Sequence, residues 1–260
     1  MLPEIVIIGA GNVATHLAHA FQNAGCHIAQ VYSRSLGHAS RLAFELKDSR
    51  PIDDLSLLTE EADLYIISVA DAAVATIAEA MPKVKGIVAH TSGSVPLAAL
   101  TPASDRTAVL YPLQTFTRDA VVDIANVPFF TEASDAKTLE DIDSFARLLS
   151  DKVYHADSYK RKTLHIAGVL SCNFVNYLWD CTAQVLAADG YDFSVVEPLV
   201  RATLDKAVAI GPRAAQTGPA MRCDAEVMRQ HMERLDPDKA RIYRELSNEI
   251  MKTHKLDCKL

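Results

Sequence analysis

Three small residues near the start of the chain, Gly9, Gly11 and Ala14, stand in G-x-G-x-x-A spacing inside the string EIVIIGAGNVATHLAHAF, residues 4–21. Each has a separate task in holding a dinucleotide. Gly9 permits a tight strand-to-helix turn, Gly11 lets the backbone approach a pyrophosphate, and Ala14 lets helix and strand pack closely. The unpaired N–H groups near Gly11, Asn12 and Val13, with the positive end of the helix dipole, would stabilise the pyrophosphate charge. A glycine turn that binds nothing is the competing reading. The context argues for the ligand, because Ile5 to Ile8 is fully apolar and Val13, Leu17, Ala20, Phe21 and Ala24 follow at spacings of three and four.

The choice of dinucleotide is written where the second strand, expected over His27 to Tyr32, ends in Ser33-Arg34-Ser35. An acidic residue about 20 positions past the glycines would hold a ribose 2′-OH and repel a 2′-phosphate. Two hydroxyls and a guanidinium do the reverse, so NADP(H) is expected, with Arg34 stacking on adenine while holding the phosphate.

Ligands of open α/β sheets bind beyond the carboxyl ends of the strands. Ala70-Asp71 would follow the strand Asp63–Ala70, where the cofactor's ribose and nicotinamide end would pass. His90-Thr91-Ser92-Gly93-Ser94 follows the next strand, and Tyr111 and Gln114 follow the one after. The serines could touch ligand or simply cap a helix ahead of Pro96 and Leu97. His90 is a candidate acid/base or a satisfied buried histidine. In LHIAGVLSCNFVNYLW, residues 164–179, His165, Cys172 and Asn176 are spaced by seven and four. They therefore share one face of an α-helix, with Gly168 leaving room beside them and Asn173 on the neighbouring face. So apolar a helix should be buried, and buried amides need hydrogen-bond partners. A substrate or a subunit interface could supply partners for Asn173 and Asn176. His165 with Cys172 lacks the further ligands a metal site needs, so no metal is expected. His16 and His19 are expected at the surface. A third polar segment, AQTGPAMRCD at 215–224, offers Thr217 and an Arg222 that could bind an anion or pair with Asp224.

The elements that would position these residues alternate strand and helix up to a last strand near Val153. That predicts an α/β, Rossmann-type, mostly parallel sheet on residues 1–156. Beyond Asp157 no strand-like run remains, and an all-α domain is expected over 157–260. Its helices are expected at Ser158–Asp189, stopped by Gly190, at Ser194–Ile210, stopped by Gly211-Pro212, and near Asp224–Leu235 and Pro237–His254.

Of 260 residues, 49% are apolar and 23% charged, with a net charge of −7 and no basic run longer than Lys160-Arg161-Lys162. That argues for a globular protein and against nucleic acid as partner. The chain enters its first strand within four residues without a basic leader, and its most apolar stretch falls short of a membrane span. Five cysteines, an odd number with no C-x-x-C pair, predict reduced thiols and a cytoplasmic protein.

The strings IIGAGNVATHLAHAF, YIISVADAAV, VAHTSGSVPLAAL, YPLQTF, LHIAGVLSCNFVNYLW and AQTGPAMRCD are similar over nearly the whole chain to a bacterial family of NADP oxidoreductases. In that family a Rossmann-like domain precedes a helical domain of unassigned function. More distantly, the layout resembles pyrroline-5-carboxylate reductase, ketopantoate reductase, 6-phosphogluconate dehydrogenase and the deazaflavin-dependent NADP oxidoreductases. The resemblance implies cofactor contacts at Gly9, Gly11, Asn12, Val13, Ser33 and Arg34, beside the candidate Ser35, the nicotinamide near Ala70 and Thr91, and a homodimer built through the helical domain. It also implies hydride transfer to or from a small carbonyl, imine or hydroxy substrate held between the domains. Asn173, Asn176 and His90 are the catalytic candidates. Ser92, Tyr111, Gln114, His165, Thr217 and Arg222 are candidates to bind substrate. The β-hydroxyacid dehydrogenases among these relatives carry a lysine four residues before the helix asparagine. Here that position is Val169 or Cys172, neither of which can serve as that proton-transfer group. An imine or carbonyl reductase with another acid is thereby favoured over a hydroxyacid dehydrogenase. A non-catalytic NADP(H)-binding sensor is the alternative.

Overall fold

The computed structural model describes residues 3–118 and 120–258. Eight strands form one sheet: β1 (Glu4–Ile8), β2 (His27–Tyr32), β3 (Arg50–Ile52), β4 (Leu64–Ile67), β5 (Ile87–His90), β6 (Thr107–Pro112), β7 (Phe129–Ala133) and β8 (Val153–His155). Between them lie α1 (Asn12–Asn23), α2 (Leu36–Phe44), α3 (Asp71–Ala80) and α4 (Ala136–Arg147). The order is β3-β2-β1-β4-β5-β6-β7-β8, parallel from β3 through β6, with β7 antiparallel to β6 and parallel to β8. This is the expected Rossmann-type sheet. Chain order reverses between β1 and β4, which opens a crevice at their carboxyl ends.

The central strands are apolar on both faces because each face is covered. Ile5 and Ile7 pack with Ala14, Leu17 and Phe21 of α1, while Val6 and Ile8 pack with Val74, Ile77 and Ala78 of α3. Strand β3 was not legible in the sequence. It is three residues long and contains Pro51, which only an edge strand tolerates.

The chain divides into two compact units, residues 1–172 and 173–260. The first includes α5 (Ser158–Gly168), whose N-terminus is capped by Asp157 accepting from the Lys160 N–H at 2.8 Å. The helix expected from Ser158 to Asp189 is present as one continuous helical stretch, Ser158–Ala188, but it is not α-helical throughout. A π-helical turn over Val169–Asn173 separates α5 from α6 (Phe174–Ala188). A π turn changes the angular phase, so the spacing of His165, Cys172 and Asn176 no longer implies a common face. Gly190 does stop α6, at φ +80°, and Gly211, at φ +86°, ends α7 (Glu197–Ile210).

The second unit continues with α8 (Pro212–Ala215), α9 (Ala225–Glu233) and α10 (Pro237–Thr253), the last two capped by Asp224 and Asp236. Two expectations fail here. The apolar stretch through Trp179 is not buried within the chain, since neither α6 nor α7 buries a side chain. The thiols are not all reduced either. Cys223 and Cys258 form a disulfide with Cα atoms 5.7 Å apart, leaving Cys26, Cys172 and Cys181 free. Thirty-five positions separate that pair, and packing of Ala220, Met228 and Met251 brings them together, which no local spacing could announce. Among the described residues no helix is long and apolar enough to cross a membrane, and no cluster of metal-ligating side chains occurs.

Candidate cofactor and substrate site

The glycines of the first turn have different reasons to be glycine. Gly9 sits at φ +128°, and a Cβ there would lie 2.1 Å from the Ser68 carbonyl oxygen, so the β1–α1 turn passes directly against the end of β4. Its N–H donates to the Tyr32 carbonyl at 2.8 Å, joining the turn to the end of β2. Nothing lies within 4 Å of a Cβ built on Gly11. That face is open, and no side chain caps the N-terminus of α1. Backbone N–H groups of the first helical turn therefore point to a space that an anion can enter. Ala14 is fully buried against the strands. The residues fit a dinucleotide pyrophosphate.

Ser33, Arg34 and Ser35 follow β2 beside this turn. Ser33 is tied by its N–H to the Ile52 carbonyl at 3.1 Å, and Arg34 is exposed. Ser35 starts α2 without capping it through its side chain. Asn12 and His16 turn outward to the segment after β6. Asn12 Nδ2 donates to the Phe116 carbonyl at 2.9 Å, and His16 Nε2 lies 2.8 Å from the Thr117 carbonyl. His16 is thus engaged rather than simply at the surface. Gln114 is exposed and accepts from its neighbour Thr115 N–H at 2.7 Å, closing its own loop.

The loop after β5 is held by several side-chain hydrogen bonds. Ser92 Oγ accepts from the N–H groups of Ser94 and Val95 at 3.0 and 3.1 Å, the capping role weighed from the sequence. Ser94 Oγ donates to the Asp71 carboxylate at the start of α3, and Thr91 Oγ1 lies 3.3 Å from Ser68 Oγ. Ala70 precedes α3 as its N-cap residue. Ends of β4 and β5 are so cross-linked by hydroxyls where the crevice begins.

His90 lies wholly inside. Its Nδ1 accepts from the Ser92 N–H at 3.2 Å, which places the proton of the neutral ring on Nε2. Burial, with the nearby Arg161 charge, pushes its pKa down to about 4, against the opposing pull of Asp71 and the Pro96 carbonyl. At neutral pH this histidine is uncharged; its Nδ1 holds the loop, and its buried Nε2 has no hydrogen-bond partner among the described residues.

The side chain that sequence reasoning missed is Arg161. It has no exposed surface, and all its nitrogens are used. Nε donates to the Ser92 carbonyl at 3.1 Å, one terminal nitrogen to Glu132 of β7, and the other to the Val95 carbonyl and to Ser158 Oγ at 3.3 Å. Ser158 Oγ also donates to Glu132. One guanidinium therefore clamps the β5 loop to α5 and β7. Nothing distinguishes it from Lys160 and Lys162 in the sequence except its place one turn before His165.

That phase puts His165 over the same loop. A Cβ on Gly93 would lie 2.9 Å from both Cβ and Nδ1 of His165, so the ring rests on bare backbone. Tyr111, nearly buried at the end of β6, brings its hydroxyl to 3.5 Å from His165 Nδ1, with the rings edge to face. Gly168 meets only Leu113, at ordinary contact distance.

In the second unit, Asn173 and Asn176 are exposed, and among the described residues their amides have no protein partner. Arg222 is exposed and does not pair with Asp224, which instead caps α9 through the Val227 N–H. Thr217 is exposed beside Gly218, which turns at φ +111°.

No curated protein matches the chain in sequence. Residues 3–115 match a Rossmann-like domain, and residues 127–250 match a domain of unknown function, DUF2520. A Bacteroides fragilis protein described as an NADP oxidoreductase is 37% identical, covers 96% of this chain over 98% of its own, and superposes with a TM-score of 0.89. A reductive aminase from Aspergillus terreus in complex with NADPH and ethyl levulinate shares the fold at 14% identity, with 98% and 92% of the two chains covered and a TM-score of 0.70. An imine reductase from Myxococcus stipitatus in complex with NADP+ does so at 14%, with 97% and 93% covered and a TM-score of 0.63. On the full-length match at 37% identity, the chain belongs to the family of the Bacteroides fragilis protein, in which a Rossmann-like domain is followed by DUF2520.

Proposed function

We propose that this protein is an NADP(H)-dependent oxidoreductase acting on a small carbonyl, imine or hydroxy compound held between the domains, with the cofactor on residues 1–156 and further substrate contacts and the dimer contacts on 157–260. The observation that carries the reading is the open face at Gly11 above the uncapped start of α1, with Ser33, Arg34 and Ser35 at the end of the neighbouring strand. When bound, NADPH would supply a hydride equivalent to the substrate carbon.

The chain's own residues bind, orient and shield. The backbone at Gly11, Asn12 and Val13 would hold the pyrophosphate, Arg34 with its serines the 2′-phosphate, and Ala70 and Thr91 the nicotinamide end. Arg161, Ser92 and His90 keep the β5 loop stiff, which holds a bound substrate near its reactive geometry. Asn173, Asn176, Gln114, Thr217 and Arg222 are proposed substrate contacts, supported by amides, a hydroxyl and a cation that are exposed. The descriptions of the Bacteroides, Aspergillus and Myxococcus relatives point the same way. The exposed apolar residues of α6 and α7, among them Phe174, Leu199, Leu204 and Val208, support a homodimer.

The test is NADPH oxidation over small ketones and imines and NADP+ reduction over hydroxyacids, run with Asn173→Leu and Asn176→Leu. Loss of one or two hydrogen bonds, about 1.5–3 kcal/mol, should cut turnover on the order of a hundredfold while leaving NADPH affinity intact. Tight NADPH binding with no turnover on any class would instead support a non-catalytic sensor.

A further inference from the structure

The helix position at which the resemblance to β-hydroxyacid dehydrogenases would put a lysine is Val169 or Cys172 here, and His90 is buried and neutral. A reduction that adds hydrogen to a carbonyl oxygen or imine nitrogen still needs a proton donor. We propose that Tyr111 and His165 form that donor, His165 giving the proton at Nε2 and Tyr111 holding the ring through Nδ1; this rests on the reductase reading above.

Four observations converge. The two side chains come from β6 and α5 and meet at the carboxyl edge of the sheet, where open α/β folds bind ligands. The ring of His165 is set by contact with Gly93, the one residue type that leaves room for it, in a loop that Arg161 and Ser92 make rigid. His165 is exposed, and among the described residues no protein group hydrogen-bonds its Nε2, whereas Tyr111 is nearly buried behind it. The 3.5 Å separation is long for a hydrogen bond, as such contacts often are before substrate tightens them.

The protonation states assign the roles. Burial raises the pKa of the Tyr111 hydroxyl, helped by Asp71 and opposed by Arg161, so the phenol stays protonated. It can orient an imidazole but is a poor source of the transferred proton. As an imidazolium, His165 donates Nδ1–H to the Tyr111 oxygen and Nε2–H to the substrate heteroatom. As the substrate carbon is reduced, the C=O or C=N π pair moves onto that heteroatom and takes the Nε2 proton. His165 is left neutral, with Nδ1–H still on Tyr111, and solvent restores the proton at the exposed Nε2. Charge and atoms balance with the reductant already proposed. Tyr111 is thus a positioning residue and His165 a catalytic one.

The test compares wild type with His165→Ala, Tyr111→Phe and Gly93→Ala, using cyclohexanone, cyclohexanone with methylamine, and 1-pyrroline as probes. NADPH affinity and the ring ¹⁵N resonances of His165 are measured alongside. His165→Ala should lose about a hundredfold in turnover, the lower bound for removing a general acid, and added imidazole should restore part of it. Tyr111→Phe should lose about tenfold and shift the Nδ1 resonance, and Gly93→Ala should mimic it by displacing the ring. NADPH affinity should stay within about twofold in all three, which also reports that they are folded. Turnover retained in His165→Ala, or an Nδ1 resonance indifferent to Tyr111→Phe, overturns the pair while leaving the reductase reading standing. A wild type that oxidises NADPH with none of the probes overturns that reading and the pair with it.

Discussion

Arg161 of α5 and Glu132 of β7 form an ion pair in which the arginine has no exposed surface and the glutamate little. The same guanidinium satisfies the carbonyls of Ser92 and Val95, so the start of α5, strand β7 and the β5 loop share one fastening. Removing one partner of a buried pair leaves the other charged and unpaired, which costs about 3–5 kcal/mol. Arg161→Met should lower the unfolding free energy by that amount in a denaturant titration. Arg161→Lys should recover only part, because an ammonium cannot reproduce the planar fork. A loss below about 1 kcal/mol would show that the clamp adds little.

The two glycines of the first turn should separate folding from binding. Gly9→Ala meets the Ser68 carbonyl at 2.1 Å from a left-handed backbone, so it should destabilise the fold or prevent it. Gly11→Ala meets nothing and should leave the melting temperature near wild type. Gly11→Asp should abolish dinucleotide binding through bulk and like charge against the pyrophosphate. Calorimetry showing wild-type NADPH affinity in Gly11→Asp would remove this turn from the site.

Arg34 is exposed after β2 and is the proposed 2′-phosphate contact. Losing a charge-assisted contact worth about 1.5–3 kcal/mol predicts that Arg34→Ala weakens NADPH binding roughly 10- to 100-fold and leaves NADH binding unchanged. Equal weakening of both cofactors would assign Arg34 to some other task.

His90 predicts a pH dependence with a definite sign. Its folded-state pKa of about 4 lies below the ordinary value of 6.5, so the unfolded chain takes the proton first as pH falls. The stability tied to the neutral ring is fully present above pH 6.5 and is lost between 6.5 and about 4, on the order of 3 kcal/mol in all. Unfolding free energies across that window should fall in wild type and fall less in His90→Asn. Parallel curves would show that His90 is not the titrating group.

On α7, Leu199 is 67% exposed, Leu204 63% and Val208 78%, more apolar surface than a monomer usually leaves in water. Light scattering at micromolar concentration should therefore report a dimer, and Leu204→Glu should shift it towards monomer. A monomeric wild type would refute this. Helix α10 contributes less, because Met251, Ile250 and Tyr243 are already engaged with Ala220 and Met228.

The sequence alone was enough for whatever depends on local period and backbone need. The apolar run Ile5–Ile8, the spacing of Gly9, Gly11 and Ala14, and the caps at Gly190 and Gly211 each act within a few residues, so β1, α1 and the helical ends follow from composition and order. Tertiary structure decided what depends on distant partners. Lys160, Arg161 and Lys162 are alike as a triplet, and only Glu132 of β7 and the carbonyls of the β5 loop select the middle one for burial. Only the fold joins Cys223 to Cys258, or lays His165 on the bare backbone of Gly93 within reach of Tyr111. The π turn at Val169–Asn173 was likewise not legible, since it lies in a run so apolar that no single stripe records the change of phase. Local rules act on neighbours in sequence, whereas burial, pairing and phase are set by neighbours in space.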